Sequence, residues 1–246
     1  MEFEGAVVIE TMSMRPAPYL HRSPSPRYER LLSLYKQMHE LGERDAGRPA
    51  ERTYAGLNCL PQADHIRALV LRMGARTLLD YGSGKGRQYE QREVRGYDGN
   101  TYPNLQTYWG VDSITCYDPA YVQFSTLPQG TFDGVISTDV LEHCPEEDLP
   151  WIIDEIFSLA RVFVFANVAC YPAGKRLATG ENAHCTLRSP EWWTGLVEEV
   201  APRHPGVRYR FHFELREKLP SRGLGARLLD LVRKPRMGER IVVLET

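Results

Sequence analysis

Residues 161–167 read RVFVFAN, and the apolar run VFVFA within them limits the architectures open to the chain. It is strand-sized, with no polar residue to turn toward water, so a strand made from it is covered on both faces. It is also far too short to cross a bilayer as a helix. Three more strand-like runs precede it: RTLLDY at 76–81, SITCYD at 113–118 and FDGVIS at 132–137. Helical periodicity separates such runs. Tyr28, Leu31, Leu32, Tyr35 and Met38 share one face of a helix from Arg27 to Leu41, which Gly42 stops. Ile66, Leu69, Val70 and Met73 do the same from Ala63, with Gly74 as the stop. Glu146–Ala160 turns Leu149, Ile152, Ile153, Ile156 and Phe157 inward, and Ser189–Pro190 opens a further helix through EWWTGLVEEV. VRYRFHFEL alternates with period two, and RIVVLE near the C-terminus is read as its antiparallel partner. Strand and helix in alternation predict an α/β fold with a mostly parallel sheet, a C-terminal antiparallel strand pair and an N-terminal helical extension.

At 246 residues the chain holds one sizeable core with an appendage, divided here into an extension over 1–60 and a main domain over 61–246. A net charge of −2 gives no global electrostatic case for nucleic acid. Arg222, Arg227, Arg233, Lys234, Arg236 and Arg240 cluster near the C-terminus, and such a scatter reads first as a solvated surface. Residues 1–26 carry Pro16, Pro18, Pro24 and Pro26 with little periodicity, and read as mobile or ordered only against the rest of the protein. MEFEGAVVIETM does not read as a signal peptide. Cys59, Cys116, Cys144, Cys170 and Cys185 are scattered and contain no C-x-x-C pair, which points to reduced thiols and a cytoplasmic protein without a zinc module. His143–Cys144 has metal-ligand chemistry but reads as packing at a helix edge, so no metal is expected.

The first apolar strand runs into Gly82, Gly84 and Gly86. Three glycines so close mark a backbone bent unusually or approached closely. In an open parallel sheet this is where ligands bind, beyond the carboxyl ends of the strands. A P-loop requires a glycine where Leu79 stands and a hydroxyl where Gly86 stands, so that reading fails. A dinucleotide turn places its third glycine at the position of Arg87, a partial failure that leaves a nicotinamide-dependent oxidoreductase as an alternative.

Asp80–Tyr81–Gly82–Ser83–Gly84–Lys85–Gly86 resembles the acidic-x-G-x-G-x-G signature of the class I S-adenosylmethionine-dependent methyltransferases. Asp118, closing SITCYD, resembles the acidic residue that receives both ribose hydroxyls in that family. Phe132–His143, FDGVISTDVLEH, resembles the family's fourth-strand block. The resemblance implies a Rossmann-like doubly wound sheet with S-adenosyl-L-methionine as cofactor. Asp80, Gly82, Ser83, Gly84, Gly86, Asp118, Pro119, Thr138, Asp139 and Val140 are then the expected cofactor contacts. Asp98 is the rival for the ribose, and Ser125 or Thr126 for the adenine edge. Two departures stand out. The interval from Asp80 to Asp118 is long, as though 88–112 were an inserted loop. The interval from Asp118 to Asp133 is too short for the helix and third strand usual there.

Methyl transfer depends on positioning and exclusion of water, and an acceptor of high pKa also needs a base. His184, with Glu181 and Asn182 to orient it, is one candidate; the competing reading has Asn182 and His184 tying down a long loop. His143 and Asp139 are the others. Trp192 and Trp193 are read as a stacking pair, or as one core residue and one surface residue. The tyrosines at 89, 97, 102 and 108 and the N-terminal helix, together with Thr53–Ile66 and its Tyr54 and Asn58, are read as a lid or as a plain structural cap. The expected acceptor is a small or sugar-like molecule, with no membrane partner. A methyltransferase-like partner subunit without turnover is the remaining alternative.

Overall fold

The computed structural model describes residues 19–43, 46–218 and 237–246. The N-terminal proline-rich stretch up to 18 and all the basic cluster except Arg240 lie outside the described residues. Strands β1 (Thr77–Tyr81), β4 (Ser113–Tyr117), β5 (Phe132–Thr138), β6 (Ala160–Ala169), β7 (Arg208–Lys218) and β8 (Met237–Glu245) form one sheet in the order β4-β1-β5-β6-β7-β8. All neighbours pair in parallel except β7 and β8, which are antiparallel, as RIVVLE led one to expect. Strands β2 (Val94–Arg95) and β3 (Thr101–Tyr102) make a separate small hairpin. From β1 the chain passes outward to β4 and then back across to β5. The direction of winding therefore reverses between β1 and β5, and a crevice opens beyond their carboxyl ends.

The alternation of side chains along each strand feeds two cores. Leu78, Ile136, Phe163 and Phe165 face α2 (Ala63–Met73) and α3 (Leu105–Trp109). Leu79, Val135, Val164, Phe211 and Phe213 face α4 (Leu149–Ser158) and α5 (Pro190–Val200). This double covering is what the all-apolar run of β6 requires. Helices α1 (Pro26–Leu41), α2 and α5 stand where periodicity places them. Ser25 and Ser189 cap the starts of α1 and α5, and Gly42 and Gly74 cap the ends of α1 and α2. Helix α4 is shorter than expected at both ends, and Ala160 opens β6.

One connection differs from expectation and one follows it. The segment 88–112 is no lid. It contains the β2–β3 hairpin and α3, the crossover to β4, and its aromatics are spent on packing. Tyr108 and Trp109 are buried, the Trp109 indole donates to the Ala63 carbonyl at 3.0 Å, and Tyr89 turns inward. A five-residue helix needs such large side chains to cover its share of the sheet. Of the four tyrosines only Tyr97 is strongly exposed, at 74%. Between β4 and β5 the described chain makes a single 3-10 turn, Val122–Phe124, and no strand, so β4 is a sheet edge.

Candidate functional site

The floor of the crevice is the glycine turn. Gly82 and Ser83 donate their amides to the Tyr117 carbonyl at 2.7 and 3.0 Å, which ties the turn to the end of β4. Gly82, Gly84 and Gly86 all have positive φ, at 86°, 57° and 63°. Much of the demand for glycine comes from the chain itself. A Cβ on Gly82 would stand 2.3 Å from Val140, and one on Gly84 would stand 2.6 Å from the Tyr54 carbonyl. The segment Tyr54–Gly56 lies directly on the turn. Lys85, Arg87 and Gln88 donate their amides to the carbonyls of Tyr54, Ala55 and Gly56 at 3.0, 3.1 and 2.9 Å. The Lys85 ammonium donates to the carbonyls of His39 and Thr53 at 3.1 and 3.0 Å.

The walls come from the next two strands. The Asp118 carboxylate accepts the amides of Gly84 and Ala120, each at 2.8 Å, so one side chain joins the turn to the end of β4. Beyond β5, Asp139 adopts φ 54°, in the left-handed region that aspartate enters more readily than most non-glycine residues. Its Oδ1 accepts from the Asn167 amide group at 2.9 Å, and among the described residues its Oδ2 has no donor.

Helix α1 makes the roof. Leu31, Leu32, Tyr35 and His39 line the cavity from above. Three contacts clamp the helix down. At its start the Ser25 amide and hydroxyl both donate to the buried Asp148 carboxylate, the amide at 2.9 Å. Midway the Tyr35 hydroxyl reaches the carbonyls of Ala183 and His143, at 2.9 and 3.2 Å. At its end Lys85 holds the His39 carbonyl. The cleft beneath the helix has about 800 Å³ of empty space, with the solvent at its open mouth included.

Gly82, Ser83, Gly84, Asp118, Pro119, Thr138, Asp139, Val140 and His143 all line this cleft, together with Tyr54 and Asn58. Asp80 and Gly86 do not. Asp80 is fully buried behind the turn, where Gln88 and the Tyr89 hydroxyl donate to its Oδ2 at 2.7 and 2.8 Å and its Oδ1 has no partner. Burial raises its pKa to about 7, and its place outside the cleft lining keeps it from meeting a ligand there directly. Asp98 is bonded to Tyr102 and Asn100 in the hairpin, and neither Ser125 nor Thr126 reaches the cleft wall.

His184 stands behind the wall as well. Its Nδ1 lies 2.6 Å from the Tyr171 carbonyl and its Nε2 is 4.0 Å from Glu142. Asn182 bonds to the backbone of Ala173 and His184, so the loop-tying reading describes it. Glu181 points outward to Arg30 and Thr179 and does not orient His184. Trp193 is core, whereas Trp192 is only partly covered, under Arg188.

His143 is better placed. Its Nδ1 is 2.8 Å from the Ala183 carbonyl, which makes that nitrogen the protonated one and leaves Nε2 as an acceptor. Burial, with the positive influence of His184 and Lys175, lowers its pKa to about 3, so it is neutral near pH 7. Asp139 is shifted the other way: burial raises its pKa against the Asn167 bond and the nearby cations. Behind it stand two acids not singled out from the sequence. Glu142 is wholly buried with Oε2 unpartnered, and Glu214 receives Gln62 and Asn167 at 3.0 and 3.2 Å. Burial raises both. The signal for Asn167 was available, as an amide at the end of the apolar run VFVFA, opposite Thr138.

Compared with known proteins, the chain matches no family model, no curated protein and no solved structure. Among the described residues no helix is long and apolar enough to cross a membrane, and no group of acids, histidines and cysteines is arranged to hold a metal.

Proposed function

We propose that this protein is a methyltransferase that uses S-adenosyl-L-methionine on a Rossmann-like sheet and methylates a small molecule. The observation that carries the reading is one roofed cleft at the winding reversal, into which the glycine turn, Asp118–Ala120 and Thr138–Val140 all converge. The lining suits a ligand with an ammonium, ribose hydroxyls and an apolar body. Asp118 keeps lone pairs beyond the two amides it caps, and Asp139 Oδ2 has no donor among the described residues. When bound, this donor supplies a methyl group already activated on a positively charged sulfur. The chain's own part is to orient and to exclude water: Leu31, Leu32 and Tyr35 cover the cleft. His143 Nε2 then accepts the acceptor's hydrogen bond, with Asp139 as the alternative proton acceptor.

A pyrophosphate is poorly served here, which disfavours the nicotinamide alternative. The turn leads into a single 3-10 turn, Arg87–Tyr89, and not into a helix whose N-terminus would receive a phosphate. The amides of Lys85, Arg87 and Gln88, and the Lys85 ammonium, are already engaged by the chain.

Calorimetric titration with S-adenosylhomocysteine, beside NADH, tests the reading. Micromolar binding of the first and none of the second is expected. Asp118→Ala should weaken it at least about tenfold, the loss of a hydrogen bond to a charged group. An NADH signal alone would transfer the protein to the oxidoreductases, and silence from both would remove the cofactor assignment.

A further inference from the structure

Lys175 sits on the loop after β6 and is half-buried. Its ammonium stands 4.3 Å from the centre of the Tyr54 ring, and Tyr54 lines the cleft. Among the described residues no hydrogen bond and no ion pair within 4.0 Å engages that ammonium, whereas Lys85 is held by two carbonyls. Burial lowers the Lys175 pKa and Arg48 lowers it further; the opposing acids are Glu43, which pairs with Arg48 at 2.9 Å, and Asp139. An ammonium partly withdrawn from water, in contact with an aromatic face and with no hydrogen bond of its own, is an incomplete arrangement. Its charge also bears on Asp139 and His143, which line the cleft beside Tyr54. A second cation, the Arg216 guanidinium, covers the Tyr171 ring at 3.9 Å and also bears on Asp139.

Position along the sheet says which ligand this charge faces. The donor-binding segments proposed above follow β4, β1 and β5. Lys175 follows β6, one strand farther on and past Asp139. We propose that Lys175 anchors a carboxylate carried by the methyl acceptor. The acceptor is then a small acid whose body lies against the apolar wall of Tyr28, Leu32 and Pro145. This rests on the methyltransferase reading for the identity of the neighbouring ligand.

The probes are benzoate and its neutral counterpart benzyl alcohol, titrated into the full-length protein with and without saturating S-adenosylhomocysteine. Wild type should prefer benzoate by about tenfold, the scale of one charge-assisted hydrogen bond. Lys175→Met should abolish that preference and Lys175→Arg should retain part of it. A preference that survives in Lys175→Met, or is missing from wild type, overturns the proposal. So does a Lys175→Met protein that loses affinity for S-adenosylhomocysteine while binding 5′-methylthioadenosine normally, since the lysine would then serve the donor's own carboxylate. If wild type does not bind S-adenosylhomocysteine, the methyltransferase reading fails, and the ligand-free titration still decides for or against an anion site at Lys175.

Discussion

A single methyl group distinguishes two uses of glycine in this chain. Gly84→Ala forces a left-handed backbone on alanine and presses its Cβ toward the Tyr54 carbonyl. The backbone conformation alone costs about 1–3 kcal/mol, and urea denaturation should report at least that loss. Gly195 is exposed inside α5 with nothing near its missing Cβ. Gly195→Ala should stabilise the protein by about 1 kcal/mol in the same assay. The glycine spacing was legible in the sequence as a demand for close approach. That part of the approaching matter is the chain's own Tyr54–Gly56 was not, because a contact between distant segments leaves no local pattern. The same limit applies to Asp80 and His184. Their residue types suit a site, but burial turns one behind the turn and a carbonyl holds the other behind the wall.

Elements with their own stop signals were the legible ones. Gly42 stops α1, Gly74 ends α2, and Ser189–Pro190 starts α5, because caps are chemistry between near neighbours. Residues 88–112 were misread because turn formers and tyrosines conceal a one-turn crossover helix whose stability comes from the sheet beneath it. Ser25 illustrates how an element becomes part of a site. It caps α1 through the Tyr28 amide at 3.0 Å and also satisfies Asp148, which α4 buries beside Trp151. Ser25→Ala should cost about 1–2 kcal/mol. Hydrogen exchange should quicken across α1 far more than across β5 or β6, since the roof loses a clamp and the sheet does not. Equal changes in both would mean that α1 does not move separately.

At the scale of the whole molecule, two carboxylates set opposing responses to pH. Burial would raise Asp133, but Arg161 and the amides of Arg76 and Thr77 overcome it and hold its pKa at about 2, below the ordinary 3.8. Its contribution is present above pH 4 and is lost as pH falls toward 2. Asp80 is raised to about 7, so the native state takes up a proton that the unfolded chain releases near 3.8. Its contribution is complete below pH 4 and is lost as pH rises through 7. Urea midpoints measured against pH should therefore show Asp80→Asn gaining on wild type between pH 4 and 8. Asp133→Asn should be the weaker protein at pH 6 and draw level near pH 2. A sheet covered on both faces was readable from its apolar runs, whereas these titrations depend on which acids the layers enclose.

The roof over the cleft also gives the protein a schedule. Helix α1 leaves the ribosome early and Lys85 follows soon after it, yet two other anchors come late: Ser25 is 123 residues ahead of Asp148, and Arg30 is 151 ahead of Glu181. At the usual pace of translation the helix waits about 6–30 s for them. A nascent chain halted before residue 148 carries the residues of the glycine turn but lacks the carboxylate that seats the start of α1, so the roof can be fastened there only in the second half of synthesis.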